Sequence, residues 1–142
     1  MASYQKDKKK VQDFLEKVKK IILHRNNVLI NAAPWKGNRV NKTLAYMAET
    51  GISQKDIEKV ICELQIKHYS YTADDRNENF KDEQVWTFGM TKNVIDKDVD
   101  LYIKRKIRMI GEELLLIMSF HPENPGLNDH KLQFLYRESD NE

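Results

Sequence analysis

A single cysteine, Cys62, stands in 142 residues, so no disulfide can close within the chain, and no Cys/His cluster has zinc spacing. The fold must rest on packing alone, which suits the cytoplasm. No apolar run approaches the ~18 residues of a membrane span. The charged start MASYQKDKKK has no apolar signal-peptide core, so neither secretion nor a membrane partner is expected. The net charge is only +2, and bulk charge therefore does not predict a nucleic-acid partner; any electrostatic reading must rest on where the charges sit. No carboxylate pair or metal cluster has a defined spacing. In Asp74, Asp75, Glu78, Asp82 and Glu83, the nearest approach to one, the pattern matches neither an EF-hand nor a His-carboxylate site, and it reads as a solvated loop able to dock a basic partner.

What is present is one domain's worth of chain, 1–142, large enough to bury roughly two-thirds of its unfolded surface. Its first half, about 6–65, reads as helical. Val11, Phe14, Leu15, Val18 and Ile22 recur at helical spacing from about Lys6 to Leu23, with His24 and Arg25 as cations at the expected C-terminus. A short extended run follows from Val28 to Ala33. The loop Trp35 to Arg39 carries an aromatic and two cations, Lys36 and Arg39. A second helix is expected from about Val40 to Glu49, with Leu44, Met47 and Ala48 on one side and Gly51 as its left-handed stop. Ser53 and Asp56 then approximate a capping box ahead of the stripe Ile57, Val60, Ile61 and Leu64. Cys62 lies beside that stripe as a packing residue.

The second half, about 66–121, reads as antiparallel strands: Ile66 to Thr72, Val85 to Gly89, Val99 to Met109, and Leu114 to His121. His24 and His68 read as structural. In the third strand Val99, Leu101, Ile103, Ile107 and Met109 point one way, with Arg105 as the exception, while Tyr102, Lys104, Lys106 and Arg108 form a basic stripe on the other face. If Gly111-Glu112 is a two-residue turn, Tyr102 stands opposite His121 and Lys104 opposite Ser119, with Cβ atoms about 5 Å apart. That register also puts Leu115 and Ile117 on the same face, which must then be partly covered. A one-residue bulge would alter it.

A tyrosine, a histidine and several cations suit metal-free RNA cleavage, in which a ribose 2′-hydroxyl attacks the adjacent phosphate. His121 would serve as acid or base, Tyr102 as acid or phosphate donor, and Lys104 as the charge stabiliser, with Lys106 and Arg108 beside it. Trp86, Ser70, Lys36 and Arg39 are the further residues assigned to RNA binding.

The ordered pieces KGNRVNKTLAYM, YSYTADD, VWTFG, LYIKRKI and LLLIMSFH, from about Val11 to Leu127, resemble the MqsR-type toxins of bacterial type II toxin-antitoxin systems. The resemblance implies a RelE-like α+β fold with N-terminal helices packed on a mainly antiparallel sheet. It also implies cytoplasmic mRNA cleavage without a cofactor or metal, and neutralisation by a cognate antitoxin, of a zinc-finger or helix-turn-helix type. The functional tyrosine falls on Tyr102, the lysine of the YIK piece on Lys104, and the strand-end side chain on His121. Better-studied members carry lysine where this chain has His121 and Ser70, and glutamine where it has Thr87. A diverged toxin fold serving as a non-enzymatic interaction or inhibitor protein, encoded by a phage or mobile element, is the competing expectation. The tail, about 128–142, extends beyond the resemblance, and its apolar piece Leu132 to Tyr136 is expected to add an edge strand or a docking segment.

Overall fold

The computed structural model describes residues 3–25, 27–30, 41–74, 83–110, 112–122, 134 and 136. The chain is α+β. After a short strand β1 (Ser3–Tyr4), helix α1 (Lys8–Lys20) starts where the Asp7 carboxylate accepts the Lys10 amide at 3.0 Å. Its buried face is the expected stripe, Val11, Phe14, Leu15 and Val18. The helix ends before Leu23 because the chain widens into a π-helical turn, Ile21–Arg25, that still buries Ile21. Strand β2 (Val28–Ile30) follows.

Helix α2 (Lys42–Thr50) is capped by Asn41, whose side chain accepts the Thr43 and Leu44 amides, and it stops at Gly51 with φ 77°. Its buried residues are Thr43 and Tyr46, whereas Ala48 is exposed and Leu44 and Met47 are half-buried. The expected face is therefore rotated. Thr43 Oγ1 accepts the Phe120 amide at 2.9 Å, and that contact with the last strand turns the helix. Helix α3 (Gln54–Cys62) has the expected capping box, Ser53 with Asp56, and buries Ile57 and Ile61.

A 3₁₀ turn, Ile66–His68, replaces the start of the expected first sheet strand, which begins only at Tyr69. Strands β3 (Tyr69–Asp74), β4 (Gln84–Val94), β5 (Lys97–Ile110) and β6 (Glu112–Pro122) then complete a sheet in the order β1-β3-β4-β5-β6-β2. All neighbours are antiparallel except β2 and β6. Gly89 does not end β4; it pairs with Tyr102 inside a longer ladder. The β4–β5 turn is Ile95-Asp96, with both φ angles positive at 50° and 61°.

Helices α1 and α3 lie on one sheet face, and among the described residues the buried apolar side chains other than Val85 join in one cluster from Val11 to Phe120. Trp86 stacks on Phe14 at 4.1 Å between ring centroids. Of the tail, Phe134 and Tyr136 are described. Tyr136 stacks on Tyr69 at 6.3 Å and donates its hydroxyl to the Lys6 carbonyl at 2.8 Å, so this part of the tail docks on the sheet's Tyr69 end. Among the described residues no helix is long and apolar enough to cross a membrane.

Candidate functional site

The β5–β6 hairpin has two registers. Away from the turn Tyr102 pairs with His121 and Lys104 with Ser119, the pairs that a Gly111-Glu112 turn predicts. Next to the turn Ile110 pairs with Glu112 rather than Glu113, one residue out of step. The two halves are reconciled at Met118, which lacks a partner between the Lys104–Ser119 and Arg105–Ile117 pairs. This bulge reverses which β6 side chains face inward. Leu115, Ile117 and Phe120 therefore all enter the core, and Leu114 and Leu116 share the outer face with Lys106 and Arg108. The expected placement of Leu115 and Ile117 beside the polar cluster is corrected accordingly.

On the face opposite α1, four side chains converge. The Tyr102 and His121 rings lie 5.3 Å apart, and Lys104 Nζ stands 5.9 Å from the Tyr102 ring centre. Tyr71 stands one strand beyond Thr87 in the Tyr71–Thr87–Lys104 row, on the same face. Burial pushes the Tyr71 hydroxyl above its ordinary pKa; Tyr102 adds to the effect, and Thr87 and Lys104 oppose it. Among the described residues Lys104 makes no ion pair.

His121 Nδ1 lies 2.9 Å from the Pro122 carbonyl. A carbonyl only accepts, so Nδ1 must carry a proton and the lone pair of the neutral ring is on Nε2. Burial holds the imidazole below its usual pKa, the cations Lys42 and Lys104 lower it further, and the Pro122 bond opposes them. The ring is thus neutral at pH 7, with one nitrogen anchored and the other available as a base.

The remaining candidates are placed differently. Lys106, 3% exposed, and Arg108 both face this side, but both are held by Glu83: Lys106 Nζ at 2.7 Å and Arg108 Nε at 3.0 Å. Trp86 belongs to the opposite face, 9% exposed, where Phe14 stacks on its ring and Lys6 Nζ stands 5.7 Å from the ring centre. Ser70 is 2% exposed at an irregularity of β3. Lys36 and Arg39 lie outside the described residues. The sequence pattern did not single out Tyr71 or Lys42, and it placed Glu83 in a solvated loop; Glu83 is instead mostly covered and holds Lys106 and Arg108, because those β5 cations need a counter-charge where water is excluded. Tyr71 was accessible to alternation in YSYT, but its row was not, because the long β3–β4 connection leaves that register free. Among the described residues no group of three or more His, Cys, Asp or Glu side chains is arranged to hold a metal. Comparison with known protein families and with characterised proteins finds no match to this chain.

Proposed function

We propose that this chain is an mRNA-cleaving endoribonuclease, the toxin of a bacterial toxin-antitoxin pair, on a RelE-like variant of its α+β scaffold. The observation that carries the reading is the neutral, anchored imidazole of His121 beside Tyr102, with Lys104 over the same ring. His121 Nε2 takes the ribose 2′-hydroxyl proton as that oxygen attacks the adjacent phosphorus. The O2′–P bond forms and the P–O5′ bond breaks, leaving a 2′,3′-cyclic phosphate. Tyr102 protonates the departing 5′-oxygen, and Lys104 offsets the charge growing on the phosphoryl oxygens. A cognate antitoxin would block this face.

Mapping RNA 5′ ends after expression in bacteria tests the reading; unchanged RNA and growth with a soluble, folded protein would sink it. Tyr102→Phe and His121→Ala should each slow cleavage by tenfold or more, given the ~10²–10⁴ typical of acid-base groups. Because His121 titrates below its usual value, wild-type rates should rise with pH through a limb centred below 6.5 and lie on the plateau at neutral pH. A limb at or above 6.5 would remove His121 from the base role.

The second reading, an interaction protein without activity, draws on Glu83, which already neutralises two cations of the basic stripe. A neighbouring gene for a small zinc-finger or helix-turn-helix protein would favour the toxin.

A further inference from the structure

Two of the three β5 cations on the site face meet one carboxylate. Lys106 Nζ is 2.7 Å from Glu83 Oε1, and Arg108 approaches the same group through Nε and Nη2, at 3.0–3.3 Å. Glu83 lies just before β4, three residues ahead of the Trp86 that pairs with Arg105, and its carboxylate meets Arg108 three residues beyond that pair. Its carboxylate is mostly covered, with 19% of the side chain exposed, and Lys106 is more buried still. A counter-charge so close offsets the cost of burying the ammonium, and Glu83 supplies one.

Same-face residues of a strand recur every ~6.7 Å, a step close to that between consecutive phosphates of an extended single strand. Lys104, Lys106 and Arg108 therefore form a row able to follow a backbone away from Tyr102 and His121. The first cation of the row makes no ion pair among the described residues, and the next two converge as a bidentate fork and a point charge, the donor geometry that suits a phosphate.

We propose that Glu83 is a built-in surrogate for a substrate phosphate: Lys106 and Arg108 form a second phosphate subsite, and an RNA phosphate enters it by displacing the Glu83 carboxylate. This rests on the ribonuclease reading and extends it, since it gives the substrate strand a direction along β5. It also reconciles cations sequestered by a carboxylate with a role in RNA binding. The exchange keeps the buried ammonium paired throughout, with one anion replacing another.

Two probes separate this subsite from an ordinary ion-pair cluster. Inorganic phosphate should raise the thermal midpoint of Glu83→Gln in a concentration-dependent way and leave the wild type nearly unmoved. A short RNA with 2′-O-methyl riboses, which cannot be cleaved, should bind the variant about tenfold more tightly, because the tethered competitor is gone. A folded variant that responds to phosphate no more than the wild type overturns the proposal. Should Glu83→Gln not fold, the wild type decides through the ¹³C resonance of the Glu83 carboxyl. On saturation with the same RNA it should move to the position of a solvated glutamate; RNA bound with that resonance unmoved overturns the subsite while the ribonuclease reading stands. Absence of RNA binding by both proteins overturns the ribonuclease reading and the substrate named here, and the phosphate titration still reports separately on the anion site.

Discussion

Arg105 is the side chain whose surroundings are hardest to infer from its neighbours in sequence. Strand alternation puts it among Leu101, Ile103 and Ile107 on the core face, and there it is fully buried, with its guanidinium 4.3 Å from the Phe88 ring centre and 5.3 Å from Phe14. Among the described residues its nitrogens have no hydrogen-bond partner. Burial pushes its pKa down to about 9, so the charged form bears the whole desolvation cost at neutral pH. A buried cation costs several kcal/mol, while stacking over aromatic rings returns about 2 kcal/mol at best, so desolvation dominates. Arg105→Met should accordingly stabilise the fold by roughly 1–4 kcal/mol, by analogy with buried ion pairs replaced by apolar groups. Urea denaturation reads this, and a lowered midpoint would mean that the ring contacts outweigh desolvation.

At the level of elements, caps behave locally and ladders do not. Gly51 ends α2 in the left-handed region, and a Cβ built there meets nothing within 4 Å. Gly51→Ala therefore isolates the backbone penalty, roughly 1–2 kcal/mol of stability, with no steric component; denaturant midpoints would show it. The Met118 bulge is the opposite case, an element feature that long-range pairing imposes. Removing Met118 would join Ile117 to Ser119 and leave every β5–β6 pair in place, with Phe120, Ile117 and Leu115 still facing the core. The deletion should thus keep the native sheet by amide NMR, while flattening the strand beside Ser119 and Lys104 and lowering cleavage. A deletion variant that fails to fold would show that the twist of the bulge, and not the pairing, holds β6.

The whole molecule should weaken in mild acid. Burial lowers the His68 pKa to about 4, with Lys67 adding to it, and His68 Nδ1 accepts the Gln65 amide, which requires the neutral ring. His121 is shifted in the same direction. Both folded-state values lie below the unfolded value near 6.5, so the unfolded chain binds more protons in that window. The stability associated with the neutral rings is present above pH 6.5 and is lost as pH falls through about 4. Glu83 has the same sign lower down: burial alone would raise its carboxyl, but Arg108 and Lys106 hold it below the usual range. Denaturation midpoints between pH 7 and 4 should fall for the wild type and fall less for His68→Gln. Equal slopes would assign the loss elsewhere.

Short-range chemistry made much of this protein legible from its residues. The stripes of α1 and α3, the Ser53 capping box, the Gly51 stop and the inward turn of Arg105 depend on neighbours a few positions away, and so did the alternation of β5. The Tyr102–His121 pair was legible too, although through a turn placed one residue off and restored by the bulge at Met118. Sequence by itself determined the α+β class and which side chains β5 shows to each face. Only the tertiary structure decided that β2 runs parallel to β6, that Thr43 rotates α2 towards Phe120, that Tyr71 joins the Thr87–Lys104 row, and that Glu83 holds Lys106 and Arg108. Those pairs lie up to 87 positions apart in sequence. They are set by which surfaces can be buried together and which charges must be paired once water is excluded, and no local pattern carries that information.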